Sequence, residues 1–245
     1  MLTSWTFFAF PLNLFLAAIW AVGWGLIWKN RRESAVIRFL LSPSATISSL
    51  ILLVVACLWI GLSGNREFAQ SIVFVLILLY VQTVLFLVTL RGWRPNGKSI
   101  RWRFLLIHAG LLLALGAGFW GSPDSLEMRM YSVKGETARE AYLFDGSRQV
   151  LDYELTLQES KAEYSSDGKP VHYEAVVSID GAQPVQITVN HPYNVKFGED
   201  IYLINVSEDG CILQIVREPW RYFALAGIVM LLIGAFLLFI KGPQR

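Results

Sequence analysis

The 245-residue chain is poor in the side chains that carry most enzyme chemistry. It has three histidines and two cysteines. The cysteines, Cys57 and Cys211, form no CxxC pair, so dithiol exchange chemistry is excluded. Cys57 falls in an apolar run and Cys211 in a polar one, which also argues against a mutual disulfide. There is no nucleophile elbow, no phosphate loop and no motif-supported carboxylate pair. Charge is scarce as well: 16 % of residues are charged against about 25 % in soluble domains. No Lys or Arg precedes Lys29, so the first apolar run lacks the basic n-region of a cleaved signal peptide and reads as a retained span. Nothing in the charge pattern calls for a nucleic-acid partner.

The charge that is present is segregated. Residues 122–218 carry 17 acidic and 8 basic side chains, a net of −9, and the rest carries 2 acidic and 13 basic, a net of +11. Apolar runs at about 6–28, 46–64, 71–90, 104–121 and 220–240 each approach the length that crosses a bilayer core of about 30 Å. Basic clusters follow the first (Lys29, Arg31, Arg32, Arg38), the third (Arg91, Arg94, Lys98, Arg101, Arg103) and the fifth (Lys241, Arg245). The positive-inside rule puts those clusters in the cytoplasm, and the N-terminus and residues 122–218 outside. Reporter fusions at Gly97 and Gly168 should therefore read opposite compartments; the same compartment for both would sink the arrangement.

The acidic segment alternates apolar and polar residues. Strands are expected at 153–157, 171–179, 185–189, 201–206 and 212–216. Turn compositions separate them at 166–170, 180–181 and 208–210. An antiparallel sandwich or partly open barrel follows, while 122–139 shows little periodicity and reads as a loop or short helix. The fold class is a five-span α-helical membrane protein with one antiparallel β-rich extracytoplasmic domain. Its parts are a four-span domain (1–121), the β domain (122–218), and the fifth span with its tail (219–245).

His108 is the one imidazole inside any apolar run. An unpartnered polar ring in hydrocarbon costs several kcal/mol. Two readings fit: a histidine hydrogen-bonded within the bundle, or a metal ligand, because neutral imidazole is a common iron ligand in dry pockets. At 100° per residue, Phe104, Leu111, Leu112, Leu115 and Phe119 lie within about 60° of His108. Gly110, Ala114 and Gly118 form a separate small-residue face suited to close helix packing. A six-coordinate haem iron needs two axial ligands, so a second chain would have to supply the other. Arg101 and Arg103 stand where haem propionates would lie, and also where simple positive-inside anchoring would put them. Trp20, Trp24 and Trp28 stripe the first span as packing or interface anchors. His172 and His191 have no partner at metal-site spacing, and each reads as a surface or turn residue.

Three segments together resemble the ResB (CcsB-like) family of cytochrome c biogenesis proteins. They are the histidine-bearing run from Arg103 through His108 to Gly116; Gln186 to Pro192 followed by Phe197 to Tyr202; and Arg217-Glu218-Pro219 leading into a glycine-containing last span. The resemblance covers about residues 100–240. It implies a role in System II maturation in the bacterial inner (plasma) membrane. There the chain would pair with a CcsA-type tryptophan-rich membrane protein, carry haem b toward apocytochrome c, and lend His108 as an axial ligand to the iron. On that reading the chain is at most a non-catalytic subunit of a cytochrome c synthetase, embedded in membrane lipid. This sequence departs from the family in a shorter outer domain, one span more than the usual four, and no tryptophan-rich motif of its own. A scaffolding subunit without a cofactor is the alternative, and a subunit of a quinone-linked respiratory complex is a third, for which no motif is present.

Overall fold

A computed structural model describes residues 9–64, 68–69, 71–93, 101–167, 170–207 and 209–242. It divides into two compact units, residues 1–122 with 220–245, and residues 123–219.

Among the described residues unit 1 has six α-helices: α1 (Leu12–Asn30), α2 (Ala35–Leu40), α3 (Pro43–Ser63), α4 (Ile72–Gly92), α5 (Trp102–Gly121) and α6 (Arg221–Lys241). All but α2 are long and apolar enough to cross a membrane; at 1.5 Å per residue they run about 28–32 Å. Their starts are written locally. Ser34, Ser42 and Ser71 each accept a hydrogen bond from the backbone N–H three residues on, at 3.2–3.3 Å, and so cap α2, α3 and α4. Pro43 fills the first turn of α3, where no N–H is needed, and Gly64 ends that helix at φ +66°. The helix α2 was not expected from the sequence. It is a single short turn-and-a-half pinned by Ile37 and Leu40, which bury against Val84 and Leu87 of α4. The first span begins later than the sequence suggests: α1 starts at Leu12 and continues to Asn30, and residues 6–8 lie outside the described residues.

Helices α5 and α6 form the tightest pair, running antiparallel. Gly121 meets Trp220, Gly110 meets Gly227 and Leu231, and Gly234 meets Ile107, so partners advance on one helix as they recede on the other. The glycines matter because backbones touch: a Cβ on Gly110 would stand 2.7 Å from the Gly227 carbonyl oxygen. Gly118 is a correction to the expected small-residue face, since nothing lies within 4 Å of its Cβ position. Only the Gly110 and Ala114 part of that face is packed.

Unit 2 is one eight-stranded antiparallel sheet, β1 (Leu126–Val133), β2 (Thr137–Leu143), β3 (Arg148–Tyr164), β4 (Pro170–Ile179), β5 (Val185–Thr188), β6 (Tyr193–Lys196), β7 (Glu199–Val206) and β8 (Gly210–Arg217). The lateral order is β5-β4-β3-β2-β1-β8-β7-β6. Every neighbour in that order is a neighbour in sequence except β1 and β8, the first and last strands. The sheet is thus an up-and-down meander joined end to end, with one seam. The seam lies between β5 and β6, where the described residues show only a single bridge, Thr188 to His191. Of the two expected architectures, the partly open barrel is the closer. Its core gathers Met128, Met130, Leu155, Leu157, Val177, Ile187, Ile201, Leu213 and Ile215 from β1, β3, β4, β5, β7 and β8.

Three strand expectations need correction. Residues 122–139 are not a loop: a 3-10 turn over Ser122–Asp124 leads into β1 and the start of β2. The alternation in β1 is real, but its inward set is Met128, Met130 and Ser132, which contrasts weakly with Glu127, Arg129 and Tyr131. Strand β3 runs well past the expected 153–157 because the ladder slips between Leu157 and Glu159. A bulge of one residue switches inward positions from odd to even numbers and hides the rest of the strand from a period-two reading. Strand β6 is a four-residue edge that the sequence does not announce.

Candidate functional site

His108 is the seventh of the 20 residues of α5 and is half-buried. Its ring stacks on Phe104, centroids 3.8 Å apart at 23°. Its Nδ1 sits 2.9 Å from the Phe104 carbonyl oxygen. A carbonyl only accepts, so Nδ1 carries the proton and donates, and the Nε2 lone pair is left directed away from the helix. No second hydrogen bond to the ring exists among the described residues. A backbone bond at one nitrogen that fixes the other as a lone pair is the arrangement found behind metal-ligating histidines. No group of three or more His, Cys, Asp or Glu side chains gathers here or elsewhere among the described residues. A metal bound at His108 would therefore need a prosthetic ring or a second chain for its other ligands. Leu111, one turn on from the imidazole, is 38 % exposed.

The structure separates the two arginines that the sequence treated alike. Arg103 Nη1 donates to the carbonyl oxygen of Gly242, at the end of α6, so it caps a helix C-terminus and lies on the α6 side of α5. Arg101 is seven residues before His108, hence on nearly the same face of α5 and about 10 Å away along the axis. Its Nε is buried with no acceptor among the described residues.

A second polar feature escaped the sequence reading. Asn13 of α1 donates through Nδ2 to the Trp120 carbonyl oxygen at 2.7 Å, and Trp120 Nε1 donates to Gln82 Oε1 at 3.1 Å. Three helices are thereby joined through side chains that are almost wholly buried, Asn13 and Gln82 each 2 % exposed. The Gln82 amide nitrogen meets no acceptor among the described residues. The available signal was an amide alone in an apolar run. Trp20 packs on Phe86 and Trp120 at 5.2 and 6.2 Å, and Trp24 and Trp28 pack beside Ile37 and Leu87. Packing accounts for the tryptophan stripe.

In unit 2, His172 stands across the ladder from Glu163, and His191 is exposed in the turn after β5. The two cysteines are both free, Cys57 exposed on α3 and Cys211 buried in β8, where burial raises the Cys211 thiol to about 11. The two thiols form no pair, so Cys57→Ser/Cys211→Ser should leave activity intact; a doubly substituted protein that expresses normally yet is inactive would contradict this.

The best-built polar cluster of unit 2 is around Glu199, which is fully buried. Tyr153 donates to its Oε1 at 2.7 Å and Arg217 Nε to its Oε2 at 2.5 Å. Burial and the adjacent carboxylate push the Tyr153 phenol far up, so it stays a neutral donor. At the rim, Lys196 Nζ donates to both Asp152 oxygens at 2.6 Å. That bond holds Asp152 below its usual 3.8. A depressed carboxylate stabilises the fold above its unfolded value, and the effect is lost as pH falls through the folded one. Asp152→Asn should therefore lower the thermal midpoint at neutral pH and converge with wild type in strong acid. A gap that persists at low pH would show that the loss is not electrostatic.

Five helices long and apolar enough to cross a membrane, with an up-and-down sheet domain inserted before the last, define the class of protein among the described residues. Residues 96–212 match the model of the ResB-like family. That stretch, just under half of the chain, holds α5 and nearly all of the sheet, and over it the chain is similar to the ResB-like family. No curated protein matches the chain. A solved structure described as Cytochrome c Heme Lyase CcmF is 16 % identical, with a TM-score of 0.46, over 96 % of this chain and 46 % of that one. The chain thus spans about half the length of that protein.

Proposed function

We propose that the chain is a membrane subunit of a complex that delivers haem and attaches it to cytochrome c, and that it lends His108 as one axial ligand. The observation that carries this reading is the orientation of the imidazole: Nδ1–H is held by the Phe104 carbonyl, which presents Nε2 as a lone pair. Bound haem b would supply an iron centre that takes two axial ligands. The spans contain one histidine, so the opposite ligand falls to a partner, which by family resemblance is a CcsA-type tryptophan-rich membrane protein. Arg101, on the His108 face with a buried unpaired Nε, is the better counter-charge for a propionate. Arg103 is engaged at the end of α6. The acidic segment, net −9, would attract a basic apocytochrome c at low ionic strength. The setting is the bacterial inner membrane, with residues 122–218 on the outer side.

The test is to purify the chain with and without its coexpressed partner and record the Soret band. The complex should retain haem and the chain alone should retain little. Haem absent from both preparations would overturn the reading in favour of a scaffold without a cofactor.

A further inference from the structure

The corner between α1 and α2 is built for something that haem ligation at His108 does not use. Lys29 lies in the last turn of α1, Arg31 is its C-cap, Arg32 lies 4.0 Å over the Trp28 ring, and Arg38 sits in α2. All four are exposed. None forms an ion pair among the described residues, and Glu33 is the one acidic neighbour in sequence. The corner is also held in place. Ser34 caps α2, and Ile37 and Leu40 fasten it to α4. That fastening turns the other side outward, where Val36 is 61 % and Phe39 53 % exposed. Two adjacent apolar side chains set among four unpaired cations suit an interface that is oily below and anionic above. Water satisfies only half of that pattern. The charge fixes the occupant: a rim of four cations against the single Glu33 carboxylate takes phosphate oxygens, and the apolar pair takes acyl chain.

We propose that this corner is a binding site for anionic phospholipid headgroups, with Lys29, Arg31, Arg32 and Arg38 taking the phosphates and Val36 with Phe39 entering the acyl boundary. The site is independent of His108. It fixes α2, and through Leu87 the α4 helix, to the membrane surface.

The full chain is reconstituted into nanodiscs of phosphatidylcholine with added phosphatidylglycerol, and the lipid retained after delipidation is weighed by class. Wild type should enrich phosphatidylglycerol. Arg31→Gln/Arg32→Gln/Arg38→Gln should reduce that enrichment, by about fivefold for each guanidinium removed from a headgroup. Val36→Ser/Phe39→Ser should weaken it with the charges intact. On wild-type protein, which removes any question of misfolding, raised salt should abolish the enrichment. No enrichment by wild type, enrichment that survives the triple substitution, or enrichment insensitive to salt would each overturn the site. Displacement by soluble glycerol phosphate would assign it to a free phosphate instead and overturn the lipid assignment.

Discussion

His108→Ala, coexpressed with its partner, should insert and purify like wild type yet lose most of its haem and fail to assemble holocytochrome c. The first half follows from the geometry. The ring makes one hydrogen bond, to a carbonyl that already accepts within the helix, and one stack with Phe104. Truncation therefore orphans no partner, and the fold should persist. The second half follows from the proposed ligation. Even groups that only orient a metal ligand are worth roughly 10–100-fold in affinity, so removal of the ligand should cost at least that. His108→Gly leaves a ring-sized vacancy, and added imidazole should restore part of the Soret absorbance. Wild-type haem content and maturation in His108→Ala would reduce His108 to a packing residue.

Gly110→Val should abolish the folded helix pair, while Gly118→Val, eight residues along the same helix, should be nearly silent. A Cβ on Gly110 would lie 2.7 Å from the Gly227 oxygen, 2.9 Å from the Leu231 nitrogen and 3.0 Å from the Met230 Cβ. Two of those atoms are backbone, which no rotamer change can move. The reciprocal contact, Gly227 against Ala114 and Gly110, closes the other side. Ordinary overpacking costs about 1–3 kcal/mol; separating two backbones along a whole helix should exceed it. At Gly118 nothing lies within 4 Å, so a change within about 0.5 kcal/mol is expected. Thermal midpoints and monodispersity in detergent check the contrast, and equal effects at the two sites would contradict the register of α5 on α6.

The five long helices were legible because length and continuous hydropathy survive any detail of packing, whereas the six-residue α2 offers neither signal. The sheet was legible where an inward set was strongly apolar, as at Val171 to Ile179 and Ile212 to Val216. It was hidden where the chain breaks its own period, at the slip after Leu157, or where the inward residues are Met128, Met130 and Ser132. In the helices, residue type singled out His108, but type could not rank Arg101 against Arg103. That difference depends on the end of α6 coming to rest beside Arg103. The Asn13, Trp120 and Gln82 chain was invisible for a related reason: its members lie on three helices, and a single amide in an apolar run does not name its partners.

The seam between β5 and β6 gives the sheet a place to grow. The strands through which the chain enters and leaves, β1 and β8, are paired along their full length, so the ends of the insert are fixed to one another. At the opposite side only the Thr188–His191 bridge has to be given up to admit more chain between Thr188 and Tyr193. Extra hairpins can be threaded in there while the two ends stay where they are. Domains of very different size can therefore be carried on the same pair of helices.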